Sequence, residues 1–377
     1  MKVLHVVHQL GVGGTEKTAV LFCKYLKKLG VEVSIYSFKG GPRVDEATRY
    51  GVPVHIGDPF DLADYCTANK FDVLHLHRGG WAEEWWRHFT LMYDAPDINV
   101  FETNIFGDAD RTTSGSFIDR HLFVSDYIQN WYEVATVGDF APNHQSKLGR
   151  VFNPVELQPD TFDSSAARLG FRMLCGVPED AFVVGRIGRA DNHDGISVKA
   201  LKYLWENGQN VWLVSLCPTE QMVRDLENEP RAVLVRDPII DSMDLHDFYA
   251  AVDGMLHDRC DGETFGCGIA EAMAHGKPTV SHLSVKYQGQ LETLGDPEAA
   301  RKTIGHGHED LRITEGIKEV LGGYVVNNGD WLSYSDCILG LKDVSEARAS
   351  SMKRWVRDRY EASMIAEQLK REYDGCC

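Results

Sequence analysis

No stretch of this chain approaches the ~20 apolar residues that span a bilayer, so a membrane-bound partner would be met from the surface. Positive charge is scarce: 39 lysines and arginines face 56 aspartates and glutamates, for a net charge of −17. A chain this acidic is a poor partner for a phosphate backbone, which argues against nucleic-acid binding. No CxxC pair and no zinc spacing occurs among the nine cysteines, and only Cys376 and Cys377 are close in sequence. No secretory signal precedes the first expected strand, Lys2 to Val7. Together these absences predict reduced thiols and a cytoplasmic protein. The chain also lacks a Gly-x-Ser-x-Gly elbow, a P-loop, a DxD metal motif beside a nucleotide loop, solenoid repeats and coiled-coil heptads.

At 377 residues the chain has room for two ordinary domains. Its first half alternates strands and helices. The apolar run Val3 to Val7 precedes the glycine loop Gly11 to Gly14. A helix over Thr15 to Leu29 puts Ala19, Phe22, Cys23 and Leu26 on one face and stops at Gly30. Strands are expected at Val31 to Phe38, Val73 to Leu76, Asn99 to Phe101 and Arg120 to Val124. A second series starts after Asn153-Pro154. It has strands near Phe182, Val211, Val233, Gly254 and Thr279, with a helix over Val198 to Glu206. This alternation predicts α/β structure with parallel sheets covered on both faces, in two doubly wound, Rossmann-like domains. One last charged and aromatic helix is expected over Glu346 to Tyr373.

The most informative run is Asp261-Gly-Glu-Thr-Phe-Gly-Cys-Gly-Ile-Ala-Glu-Ala-Met-Ala-His-Gly-Lys-Pro-Thr-Val280, with Glu263 and Glu271 eight residues apart. The run Glu271 to His275 reads as a helix ended by Gly276 and Pro278. Thr264, Phe265, Gly266, Cys267 and Gly268 read as the loop entering it. Amides at such a loop and the positive end of a helix dipole favour a phosphate. Glu263 is placed to hold sugar hydroxyls and Glu271 to reach a ribose. The plainer alternative is a capping Glu263 and a solvated Glu271.

This stretch resembles the E-x7-E signature of the retaining family 4 glycosyltransferases of GT-B architecture. Further marks in family order are Gly13-Gly14-Thr15-Glu16, Asp72 to His77, Val124-Ser125, Asn153-Pro-Val155, Gly188-Arg189 and Asp253. The resemblance implies two Rossmann-like domains facing across a deep cleft. Residues 1–152 would form the acceptor side and 153–356 the donor side, with a helix near 357–377 packing back on the first. It implies transfer of a hexose from a nucleoside-diphosphate sugar of GDP-mannose or UDP-glucose type, with retention, no cofactor and no metal. The acceptor would be a glycan, a glycoprotein or a lipid-linked sugar. Glu263 and Glu271, the Thr264–Gly268 backbone, Gly13 and Gly14 would meet the donor, and Arg186 and Arg189 its diphosphate.

Two departures stand out. In the frame Gly188-Arg189-Ala-Asp-Asn-His-Asp194-Gly195, Asp194 occupies the place of the family lysine, and an acid cannot replace a cation beside a diphosphate. Arg186, Arg189, His193 or Lys199 would have to compensate. In Phe101-Glu102-Thr103-Asn104, Glu102 stands where many members carry a histidine aimed at the donor sugar. It reads equally as a catalytic carboxylate and as a strand-end acid paired with an arginine. These departures keep open a sugar-nucleotide-binding protein that has lost catalysis. A nucleotide-sugar epimerase of the same fold is also open, whereas Glu16 in place of a third glycine discourages a dinucleotide oxidoreductase. His75-x-His77 puts two imidazoles on one strand face without an evident third ligand. Trp81, Trp85 and Trp86 read as core, or as a platform for an acceptor sugar.

Overall fold

Two central strands of the first unit, Lys2–Val7 and Val73–Arg78, are apolar apart from Lys2, Arg78 and the histidines His5, His75 and His77, and all of their residues but Lys2 are buried. A computed structural model of the protein describes residues 1–93, 98–138, 146–189, 191, 193–306 and 310–375. Cys376 and Cys377, with Ala190 and Asn192 of the arginine frame, lie outside the described residues. The chain divides into two compact units, residues 1–154 with 360–377, and residues 155–359.

The first unit runs β1 (Lys2–Val7), α1 (Gly14–Lys28), β2 (Glu32–Ser37), α2 (Arg43–Arg49), β3 (Val54–Ile56), α3 (Leu62–Asn69) and β4 (Val73–Arg78). It continues with α4 (Glu84–Met92), β5 (Asn99–Asn104), β6 (Arg120–Phe123), α5 (Asp126–Ala135) and β7 (Leu148–Arg150). Its seven strands lie in the order β3-β2-β1-β4-β5-β6-β7, all parallel. Right-handed crossovers through helices impose this doubly wound order. The predicted face of α1 is buried at Ala19, Phe22, Cys23 and Leu26. Trp85 and Trp86 are core residues, whereas Trp81 is 45% exposed and stacks on Phe106.

The second unit runs α6 (Ser164–Leu174), β8 (Phe182–Ile187), α7 (Ile196–Glu206), β9 (Val211–Leu216), α8 (Glu220–Leu226), β10 (Ala232–Val235), α9 (Ser242–Ala251) and β11 (Gly254–Leu256). Then come α10 (Cys267–Ala274), β12 (Thr279–His282), α11 (Gly289–Thr293), α12 (Pro297–Lys302), β13 (Ile317–Val320), β14 (Gly323–Val326), α13 (Trp331–Gly340) and α14 (Glu346–Tyr360). The sheet order is β10-β9-β8-β11-β12-β14-β13. Its edge strand β13 is antiparallel to β14, so this sheet is mixed rather than purely parallel. Both strands escape the sequence reading, being short and linked by a tight turn.

The single C-terminal helix expected over Glu346 to Tyr373 is two helices. Glu361 takes extended backbone (φ −56°, ψ 130°) and separates α14 from α15 (Ala362–Asp374). α15 belongs to the first unit and packs on α1, burying Ile365, Ala366, Leu369 and Tyr373. No helix among the described residues is long and apolar enough to cross a membrane.

Candidate functional site

In open α/β sheets, ligands bind beyond the carboxyl ends of the strands. In the second unit, the E-x7-E run lies between β11 and β12, at such an end. The helix starts four residues before Glu271, so Cys267 and Gly268 form its first turn and not the entering loop. Gly266, the N-cap, is left-handed (φ 96°) and brings no capping side chain, which leaves the first-turn amides to other acceptors. Gly262 is also left-handed (φ 75°), and a Cβ there would sit 1.8 Å from the Tyr287 carbonyl oxygen. The loop is pinned from the 287–293 segment. The Tyr287 amide donates to Asp261 O (2.9 Å), the Gly289 amide to Glu263 O (2.8 Å), and the Thr293 hydroxyl to Phe265 O.

Glu271 is buried, and the Tyr249 hydroxyl donates to its Oε2 at 2.9 Å. Burial, and then Glu271 itself, push the Tyr249 hydroxyl pKa up, so tyrosine remains the donor. The plain reading of Glu271 as a solvated helix residue does not hold. Glu263 is partly exposed, lying 3.5 Å from both His257 Nε2 and Arg259 Nη1. Arg259 also donates to Asp261 at 2.7 Å.

Beneath the loop lies a buried ionic cluster built on Asp258, two residues after β11. Arg186 Nε donates to its Oδ1 at 2.8 Å, the Ser197 hydroxyl donates to Oδ2, and His193 Nδ1 lies 2.6 Å from Oδ2. Burial alone would raise this carboxyl's pKa. Arg186, His193 and Ser197 outweigh it and hold the pKa well below the usual carboxylate range. Arg189 is 60% exposed and forks onto Asp191. Asp194 accepts from the Ile196 amide (2.9 Å) at the start of α7 and lies 3.1 Å from Nε2 of His282, which is buried on β12. The acid in the lysine's place thus has a structural job.

The first unit holds the remaining candidates. Gly13 caps α1 and Gly14 opens it. Glu16 folds back so closely that a Cβ on Gly13 would sit 2.1 Å from its Oε2, while Gln9 donates to Glu16 Oε1 at 3.1 Å. Glycine at 13 thus makes room for the residue that breaks the dinucleotide fingerprint. Glu102 is buried, bonded to Arg78, 2.6 Å from His121 Nδ1, and accepting from Asn104 Nδ2 at 3.3 Å. Against the upward push of burial, Arg78 and His121 bring its pKa down to about 2. Arg78 also faces Glu83 and Asp110. Held this way, Glu102 orients its partners, and meeting a substrate directly would require it to leave them.

The missing third imidazole is His5. It pairs in register with His75 across β1 and β4, and its Nδ1 lies 2.9 Å from His77 Nε2. The nitrogens of His5, His75 and His77 lie within 4.8 Å of one another. The rings are stacked, 7° from parallel for His75 and His77. His75 is already bound on both sides, by Tyr373 and by Thr103 (2.7 Å). These bonds tie the three rings into one hydrogen-bonded stack.

No protein-family model matches the sequence, and no curated protein sequence matches it. Solved structures match its fold over nearly its whole length. HepE of Anabaena in complex with UDP and glucose is 16% identical, with all of both chains covered and a TM-score of 0.73. Sucrose-phosphate synthase of Thermosynechococcus elongatus is 14% identical over 100% of this chain and 99% of its own, with a TM-score of 0.67. A proposed UDP-N-acetylglucosamine 2-epimerase of Listeria monocytogenes is 13% identical over 98% and 94%, with a TM-score of 0.59. At these identities the likeness is one of fold. Two seven-stranded Rossmann-like units in one chain place this protein in the two-domain GT-B fold of glycosyltransferases.

Proposed function

We propose that the protein is a glycosyltransferase that takes a hexose from a nucleoside-diphosphate sugar held by its second unit. The observation that carries this reading is the tight Gly262–Gly266 loop feeding α10, with a buried, tyrosine-oriented Glu271 one turn into the helix. The loop and the helix dipole suit the diphosphate, Glu271 the ribose and Glu263 the sugar hydroxyls. As the bond to the anomeric carbon breaks, negative charge grows on the leaving diphosphate. Arg186 and Arg189 are the cations assigned to it, and Arg189 would exchange Asp191 for phosphate. Glu102, Gly13 and Gly14 belong to the first unit, which the resemblance gives to the acceptor while carrying Gly13 and Gly14 as donor contacts. Retention follows from the same resemblance, with the departing phosphate taking the acceptor proton on the same face. The donor belongs to the GDP-mannose or UDP-glucose type, and the acceptor is a glycan, a glycoprotein or a lipid-linked sugar.

Calorimetric titration of UDP and GDP tests the donor site. Glu271→Ala is expected to weaken the preferred nucleotide by roughly 1.5–3 kcal/mol, the worth of a hydrogen bond to a charged group. Unchanged affinity for both nucleotides would remove Glu271 from the site.

The carboxylates around the loop are already engaged. Asp258 is held by Arg186, Asp261 and Glu263 by Arg259, and Asp194 by His282. Donor binding and transfer are therefore expected to survive treatment with a chelator. Activity that returns only with added manganese or magnesium would count against the assignment.

The epimerase-like fold favours one second reading, and an assay separates it. An epimerase turns over UDP-N-acetylglucosamine with no acceptor present, whereas the transferase needs one.

A further inference from the structure

The opposite end of α10 carries a second feature, independent of the donor reading. A pocket of about 230 Å³ opens there within the second unit, lined among others by Ser164, Ser165, Arg168, His275, Lys277 and Lys353. Three of its lining residues are cations and none is a carboxylate. In a chain of net charge −17, such an excess of positive charge is out of keeping with its surroundings.

The neighbouring groups leave this excess standing. Asp253 is the acid that reaches it, and it is shared by Arg168 (2.8 Å) and the buried Arg172 (2.9 Å). Asp163 turns its carboxylate to the Ser165 and Ala166 amides at the start of α6. Lys277 makes one long contact, 3.4 Å to the Ala250 carbonyl oxygen, near the end of α9. That helix end is already served by Arg172, whose Nε donates to Ala251 O at 2.7 Å, so capping does not account for a second cation. Lys353 has no carboxylate partner among the described residues. His275 is engaged on both nitrogens, by Glu271 O and His246, and lines the pocket as a neutral ring. Burial pushes the Lys277 pKa down to about 8; Asp253 works against it, and Arg168, Lys353 and Arg172 add to it. An ammonium crowded by like charge gains most from an anion brought among them.

We propose that this pocket is a phosphate-binding site, separate from the donor loop, in which Arg168, Lys277 and Lys353 take a phosphate group flanked by the Ser164 and Ser165 hydroxyls. The two sites lie at opposite ends of an eight-residue helix, about 12 Å apart along its axis. The phosphate belongs either to a soluble phosphorylated compound or to an anionic lipid headgroup, and the pocket recognises the chemistry they share.

The test is calorimetric titration of inorganic phosphate and pyrophosphate into the whole protein at pH 7 and low salt. It is paired with sedimentation on phosphatidylcholine vesicles with and without phosphatidylglycerol. Lys277→Met/Lys353→Met is expected to weaken the bound anion roughly tenfold or more, since two charge-assisted contacts are lost. Lys353→Met alone, at an exposed position, should weaken it in the same direction with the fold intact. Glu271→Ala should leave phosphate affinity unchanged, and the lysine variants should leave nucleotide affinity unchanged. Phosphate binding without vesicle binding assigns a soluble ligand. Vesicle binding that needs phosphatidylglycerol and fails in the lysine variants assigns a headgroup. Binding of neither, or binding indifferent to both lysine substitutions, overturns the site.

Discussion

Asp258→Ala is expected to lower the stability of the protein by about 3–5 kcal/mol, the usual cost of removing one partner from a buried ion pair. Arg186 would be left without the carboxylate that neutralises it, and the His193 ring and the Ser197 hydroxyl would each lose a partner. Asp258→Asn keeps the shape and one acceptor oxygen, so it should cost less while still releasing Arg186. Urea denaturation of the three proteins measures the difference. Under the proposed function, Asp258→Asn should also weaken nucleotide binding, because Arg186 is positioned for the diphosphate by this carboxylate. A stability loss below about 1 kcal/mol in the alanine variant would mean that water reaches the cluster and the pair is not buried in solution.

Mild acid is expected to destabilise the protein through its buried histidines. Burial holds His5 and His75 well below the ordinary histidine pKa, and His77 down to about 3. Each stays neutral in the folded chain at a pH where the unfolded chain takes a proton. The stability they contribute is present above pH ~6.5 and is lost as pH falls from there toward the folded values. Between pH 7 and pH 5 the loss is on the order of 2 kcal/mol for each such histidine. Glu102 acts in a lower window. Its stabilisation is present above the ordinary glutamate pKa of about 4.3 and fades toward its folded value of about 2. Urea midpoints at several pH values from 7.5 to 5 therefore isolate the histidines. His77→Gln, which keeps a hydrogen-bonding group beside His5 but cannot titrate, should flatten the slope. A midpoint indifferent to pH over that range would show that the stack is protonated or solvated.

What the sequence revealed was local. The loop, the helix behind it and the strand that follows lie within a run of twenty residues, so their pattern is legible before any fold is known. The α1 face and most strands were likewise readable from apolar spacing. The residues that support the site were hidden, because tertiary pairing joins them. Tyr249 reaches Glu271 from another helix, and Asp258 meets Arg186 across 72 positions. His5 joins the His75–His77 pair only through the β1–β4 register. Asp258 had one faint signal, its place just beyond a strand's carboxyl end. Asp194 shows how a motif frame can mislead: read along the chain it is a missing cation, and in space it is the partner of a buried histidine on β12. The break at Glu361 was invisible because charged and aromatic residues continue on both sides of it.

The break also bears on synthesis. α15 leaves the ribosome after the whole of the second unit, yet it lines the core of the unit that precedes that one, with Tyr373 bonded to His75 across 298 residues. A vectorially emerging chain can close the second unit around its own contacts while the first is still missing a helix. Until α15 has emerged, the first unit's α1 and histidine stack lack that cover, so of the two units the one translated earlier is completed later.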